Sequence, residues 1–212
     1  EARSIFIAQD SYINANYEQD YAELINQWRS FNYTYLVVFP RHERNDVLNI
    51  LGENSDEEKN YQLAAQKASA EIYTLQGIQQ FFAWYNYGTN LVYLRDYHGA
   101  ANAYDQAFAF YNQLPEDNTL RPYRILWYET GPYYAYYYMA RYQDVIDLAT
   151  NNSINMVRDD EPALEESYYW RAKAKIALGD QKGASDDLMT CLTYHPEFTP
   201  CVEELNALGI FP

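Results

Sequence analysis

The stretch Phe81–Pro115, FFAWYNYGTNLVYLRDYHGAANAYDQAFAFYNQLP, decides how the rest of the chain is read. Its apolar residues recur at helical spacing in two segments, separated by a break at Leu94-Arg95-Asp96-Tyr97. Gly88 stands four residues after Trp84, Tyr104 four after Ala100, and Ala107 about a turn further on. Small residues at Gly88, Ala100 and Ala107 let two antiparallel helices approach closely, while Trp84 and Tyr104 fill the ends of the contact. A hairpin of this kind cannot bury both of its faces alone. It needs neighbours.

These offsets of aromatic and small residues resemble the tetratricopeptide repeat, a helix-turn-helix unit that stacks into arrays. A second unit would run to Ala149: Trp127 and Gly131 repeat the Trp84–Gly88 spacing, and the turn at Arg141–Val145 matches Asp96-Tyr97. Pro132 falls inside its first helix, which predicts a kink or bulge near Gly131-Pro132. The third unit carries Tyr168, Ala172, Ala184, Leu188, Cys191 and Pro196, with its turn at Leu178-Gly179-Asp180. Arg171 and Lys175 stand where apolar residues are usual, so their stems are expected to pack while their charges reach water. The turn positions Tyr97, Tyr142 and Gln181 lie 45 and 39 residues apart. That exceeds the family's usual spacing of about 34 and implies inserted turns or longer second helices.

Caps are readable at both ends. Asn45–Leu51 is a short helix closed by Gly52, and Ser55 with Glu58 forms a capping-box signature for a helix to about Leu75. The stripe of that helix is Tyr61, Ala64, Ala65, Ala68, Ile72 and Leu75, with Gly77 placed to end it. Pro200–Leu208, ended by Gly209, would cover the last hairpin, as the end of a solenoid requires. The expected fold is therefore mainly α: a helical-hairpin array of about three repeats plus caps over residues 41–212.

Residues 1–40 read differently. Ile5–Ala8 is a strand stopped by Gln9-Asp10-Ser11, Tyr21–Trp28 a helix, and Tyr33–Phe39 a β-rich run ending at Pro40. Strand, helix and strand in so short a segment bury too little to stand alone, and the strands lack partners. The segment is expected to be the tail of a larger α/β domain. The run SIFIAQDSYINANYEQDYAELINQWRSFNYTYLVVFP resembles the closing segment of C39-like, papain-fold cysteine peptidase domains. There a strand delivers an Asp or Asn to the active site, and a helix and a final strand follow. By that resemblance Asp10 would orient the catalytic histidine. The nucleophilic cysteine and the histidine have no counterpart: Cys191 and Cys201 lie at the wrong end, and His42, His98 and His195 have no fitting context. Asp10 is then an incomplete triad remnant, and an Asp after a strand equally serves to cap a turn. The chain as given cannot run this chemistry and is not read as an enzyme. It begins at Glu1 without a methionine, as expected of a processed or cut polypeptide.

Composition narrows the partners. A net charge of −15 makes nucleic acid and anionic membrane surfaces poor ones. The longest apolar run, Tyr133–Ala140, is far short of the roughly 18 residues of a membrane span. There is no Gly-rich phosphate loop, no metal-ligand spacing and no G-x-S-x-G elbow, so no cofactor or metal is expected. Acidic pairs such as Asp159-Asp160-Glu161 and Glu165-Glu166 read as solvated helix starts. The spacing of Cys191 and Cys201 permits a bridge without implying one.

The unusual quantity is tyrosine, 24 residues of it. In the family resembled, the first helix of each hairpin lines a concave groove. Carried over, that assigns Phe82, Tyr85 and Tyr93, with Thr89 and Val92, to a groove wall. Tyr134, Tyr137 and Tyr138 follow from the second unit, and Tyr169, Lys173 and Ile176 from the third. Tyr133–Tyr138 carries tyrosine right round a helix, so part of it must face solvent, a partner or the groove. Peptides and glycans both suit such surfaces. The function expected is a protein- or peptide-binding scaffold appended to a C39-like peptidase domain, in a bacterial extracytoplasmic protein. The alternatives are a cysteine peptidase whose catalytic Cys and His lie upstream, with the repeats as a buttress, and a structural role in oligomers.

Overall fold

A computed structural model of the chain describes residues 4–9, 14–114, 125–150 and 164–211. The helical periodicity that dominates the sequence is realised: these residues form ten α-helices and a two-stranded sheet. They divide into two units, Glu1–Leu94 with Ala103–Leu114 and Arg95–Asn102 with Pro115–Pro212. Asp10 and Asp159–Glu161 lie outside the described residues.

In the first unit β1 (Ile5–Ala8) pairs antiparallel with β2 (Tyr17–Asp20), Ile5 opposite Asp20 and Ala8 opposite Tyr17. The chain thus supplies the partner that the sequence did not reveal, because Tyr-Glu-Gln-Asp lacks the apolar alternation that marks a strand. Asp20 ends β2 and caps α1 (Tyr21–Arg29), its carboxylate accepting from the Ala22 N–H at 2.7 Å. The strand expected over Tyr33–Phe39 does not form. Asn32 and Tyr33 take left-handed φ values of +50° and +53° and turn the chain out of α1. Residues 34–40 then run without regular structure, since no strand edge among the described residues pairs with them. β-propensity is realised only against a partner.

The short helix α2 (Arg44–Leu51) ends at Gly52, whose φ of +55° suits a glycine. The next helix, α3 (Glu57–Ile72), is capped by Asp56, which accepts from the Lys59 N–H at 2.8 Å. Ser55, the expected cap, instead donates to the Gly52 carbonyl at 2.7 Å, because the extended N-cap backbone falls one residue later. Gly77 likewise opens α4 (Gly77–Tyr93) rather than closing α3, its φ of +58° steering the chain into the new helix.

Helix α4 is buried on nearly all sides. On one side residues of α5 (Tyr97–Tyr111) pack against it: the Tyr104 ring lies 5.0 Å from Tyr85, and Tyr111 lies 5.5 Å from Phe81. A Cβ on Gly88 would sit 2.8 Å from Tyr104 Cε1, so glycine is what allows this approach. On another side Asn86 donates to the Arg29 carbonyl at 2.8 Å, and Asn90 exchanges amide hydrogen bonds with Asn32 at 3.0 and 3.1 Å. These tie the end of α1 to α4. Arg29, buried, completes the joint by contacts to Glu71 and Gln79.

The second unit takes the first turn of α5 together with α6 (Gly131–Tyr138), α7 (Tyr142–Thr150), α8 (Glu165–Ala177), α9 (Gln181–Tyr194) and α10 (Thr199–Ala207). The kink expected at Pro132 is absent. A 3-10 turn at Ile125–Trp127 precedes α6, and Pro132 sits in the first turn of that helix, where its missing N–H is harmless. Trp127 therefore does not occupy the mid-helix position that Trp84 holds in α4. The α8–α9–α10 core is Tyr168, Ala172, Ala184, Leu188, Cys191, Cys201 and Leu205, and a Cys191–Cys201 disulfide joins α9 to α10. Asp180 caps α9, accepting from the Gly183 N–H at 2.9 Å. The charges at Arg171 and Lys175 do not both reach water as expected. Arg171 is 4% exposed and bidentate to Asp187 at 2.9 and 2.7 Å, with the Lys175 amine 2.7 Å from the same carboxylate.

Candidate functional site

The seven aromatic groove residues read from the sequence separate into two groups. Phe82 and Tyr85 are core. Tyr85 is wholly buried among Phe81, Tyr104 and Phe108, and Phe82 packs edge-on to Phe81, so neither can line a groove. The physical reason is that α4 is covered by α1, α3 and part of α5, which leaves it no open face. Tyr93 is half-exposed and stacks on Tyr61, the rings parallel and 4.2 Å apart. Burial and then the neighbouring Tyr93 push the Tyr61 hydroxyl above its ordinary range.

The other four, Tyr134, Tyr137, Tyr138 and Tyr169, come together in the second unit. The tyrosine run of α6 splits by helical phase. Tyr133 and Tyr136 face inward, the Tyr133 hydroxyl meeting Ser167 Oγ at 3.1 Å and the Tyr136 ring lying under the Arg141 guanidinium at 4.2 Å. Tyr134 and Tyr138 face out, at 38% and 56% exposure. Tyr134 lies 4.4 Å and Tyr137 5.6 Å from the ring of Trp170 on α8. Tyr169 is the next ring along, 5.3 Å from Trp170. Tyr138 stacks on Tyr97 at 4.5 Å, and Tyr169 meets Phe198 at 6.1 Å. The result is an aromatic ridge running from Tyr97 through Tyr138, Tyr137 and Trp170 to Tyr169 and Phe198.

Two features give the ridge chemical character. Trp170 is 3% exposed and its indole N–H has no hydrogen-bond acceptor among the described residues, a donor that burial makes costly to leave alone. Lys173 holds its amine 5.5 Å from the Tyr137 ring and 5.6 Å from the Tyr169 ring while paired to Glu204 at 2.6 Å. Burial opposes the charge on Lys173, but the Glu204 hydrogen bond together with the electrostatic pull of Tyr169, Glu204 and Tyr137 holds the amine above its ordinary range. Burial raises the Tyr169 hydroxyl, with the Lys173 charge acting the other way. Both side chains therefore keep their protons at neutral pH, and the ridge offers ring faces, hydroxyl donors and one neutralised cation.

Trp170, Tyr97 and Phe198 were missed by the sequence reading. The signal for Trp170 was present: it follows Tyr169 directly, one helical step round α8. Tyr97 is the first residue of α5 and Phe198 the residue before α10, so neither falls on an established helical stripe. Among the described residues no group of three His, Cys, Asp or Glu side chains is placed to hold a metal ion. No helix among them is long and apolar enough to cross a membrane. No family model, curated protein or solved structure matches the chain.

Proposed function

We propose that the chain is a protein-interaction module of tetratricopeptide type whose recognition surface is the aromatic ridge of the second unit, and that its partner is a peptide segment. The observation that carries this is the pair of outward-facing rings Tyr134 and Tyr138, 38% and 56% exposed and backed by the rings of Trp170 and Tyr97. The side chains of a peptide would lie on these rings, which lose little entropy on binding. The close approach of Tyr104 to Gly88 and the buried Ala172 and Ala184 of α8 and α9 support the repeat reading. The Cys191–Cys201 disulfide supports an extracytoplasmic location, where such bonds persist.

The test is to select peptides on the full chain from a random library and titrate the best with Tyr134→Ala and Tyr138→Ala variants. Affinity should fall at least about tenfold, the loss of one well-packed aromatic anchor, with the melting temperature unchanged. Unchanged affinity with a lowered melting temperature would mean that the tyrosines only pack the fold.

A second reading, that residues 4–40 close a C39-like peptidase domain buttressed by the helices, has its own support. Leu36 and Val38 are each 87% exposed in a β-prone run that no strand among the described residues pairs with. A larger α/β body would cover them. Expressed with the residues that precede Glu1 in its gene, the protein should then hydrolyse peptides and lose that activity in Asp10→Ala. Preceding residues lacking a Cys and a His would end this reading.

A further inference from the structure

The first unit holds a cleft of about 640 Å³ lined by none of the ridge residues, a volume within the roughly 300–1,000 Å³ of small-molecule sites. Trp28, Tyr33 and Tyr35 line it from the end of α1 and the segment after it, and Asn60 and Tyr61 line it from α3. Its walls are fixed from behind. Asn32 is locked to Asn90 by paired amide bonds. The Tyr33 hydroxyl donates to Glu71 at 2.6 Å while the Lys67 amine sits 4.4 Å over the Tyr33 ring. Tyr61 is backed by Tyr93.

Against that rigid frame two groups are uncommitted. Tyr35 is 44% exposed and has no hydrogen-bond or ring partner among the described residues, and the Asn60 side chain makes no hydrogen bond. The charged groups lining the cleft are Glu57 and Lys67, and Lys67 is already paired with Glu71 at 3.2 Å. No uncommitted cation remains to hold a carboxylate or phosphate, and the net charge of −15 disfavours anions further. With an anion disfavoured, the open ring face of Tyr35 beside the open Asn60 amide suits a ligand that is flat and apolar on its faces and rich in hydrogen-bonding groups at its edge. We propose that this cleft binds a neutral oligosaccharide, with a sugar ring on the face of Tyr35 and its hydroxyls bonded by the Asn60 amide.

The full chain is titrated with cello-, malto-, manno- and chito-oligosaccharides by calorimetry and by tryptophan fluorescence, since Trp28 lies in the wall. At least one should saturate. Tyr35→Ala should weaken it about tenfold, roughly the contribution of one stacked ring, while Tyr35→Phe keeps most of the affinity. Asn60→Ala should weaken it severalfold, with melting temperatures that match the parent. Tyr134→Ala should bind the sugar normally, so failure here is separable from failure of the ridge. If no member of the panel binds, or if both cleft variants bind as the parent does, the proposal is overturned. If only peptides bind in a Tyr35-dependent way, the cleft takes peptide and not sugar.

Discussion

Replacing Asp187 by alanine tests whether the α8–α9 hairpin rests on a buried charge cluster. The Arg171 and Asp187 side chains are each 5% exposed, joined by two hydrogen bonds of 2.9 and 2.7 Å, with the Lys175 amine 2.7 Å from the same carboxylate. The variant strands two cations beside the apolar core of Tyr168, Ala172 and Leu188. Breaking a buried pair from one side costs about 3–5 kcal/mol. At roughly 2–4 °C per kcal/mol for a chain of this size, the midpoint should drop by about 6–20 °C. Urea unfolding followed by circular dichroism reads the free energy directly. The double variant Arg171→Met/Asp187→Leu removes the charge along with its partner and should recover most of the loss. A loss below about 1 kcal/mol in Asp187→Ala would put the pair in the class of surface ion pairs. That result, or a double variant no better than the single, would refute the argument.

Reducing the Cys191–Cys201 bond should destabilise the chain by about 3 kcal/mol, the loop-closure entropy for a separation of 10 residues, read as a lower melting temperature in dithiothreitol. Gly88→Ala forces a methyl against the buried Tyr104 ring, whose hydroxyl is tied to Thr89 at 3.1 Å, and should cost about 1–3 kcal/mol in urea unfolding. Stability should also fall toward both extremes of pH through Glu71 and Tyr33. Burial alone would raise the Glu71 carboxyl, but hydrogen bonds from Tyr33 and Arg29 hold it below its ordinary 4.5. Its contribution is full above that value and is lost as pH falls through the folded one, so Glu71→Gln should flatten the acid limb. Burial and then the Glu71 hydrogen bond raise the Tyr33 hydroxyl well above 10.0. Its contribution holds below pH 10 and is lost above it, so Tyr33→Phe should flatten the alkaline limb.

Helices were legible wherever one apolar stripe met one neighbour. The paired segments of α4–α5 and α8–α9, the turn at Gly179 and the closing helix before Gly209 all follow from local spacing. What failed depended on contacts between distant residues. Tyr85 was assigned to a groove because a stripe cannot reveal that other elements cover the remaining faces of α4. Arg171 was expected to reach water because nothing local to it announces Asp187, 16 residues on. Tyr33–Phe39 has the composition of a strand, yet a strand exists only beside another. The tyrosine ridge was half legible. The run of tyrosines in α6 required an outward face, whereas the rings that complete it come from other elements.

The joint between α1 and α4 bears on the order in which the first unit assembles. Its bonds span 57 and 58 residues, from Arg29 to Asn86 and from Asn32 to Asn90, whereas Arg171 finds Asp187 across 16. Closing the longer loop costs about 2 RT ln-units more in chain entropy, roughly 1 kcal/mol, before any bond repays it. It also demands that α4 already present Asn86 and Asn90 on one face, one turn apart. The amino-terminal helix is thus a late arrival that reads a template formed downstream. In pulsed hydrogen exchange during refolding, amides of α8 and α9 should gain protection before those of α1; the reverse order would show that the β1–β2 pair and α1 organise first.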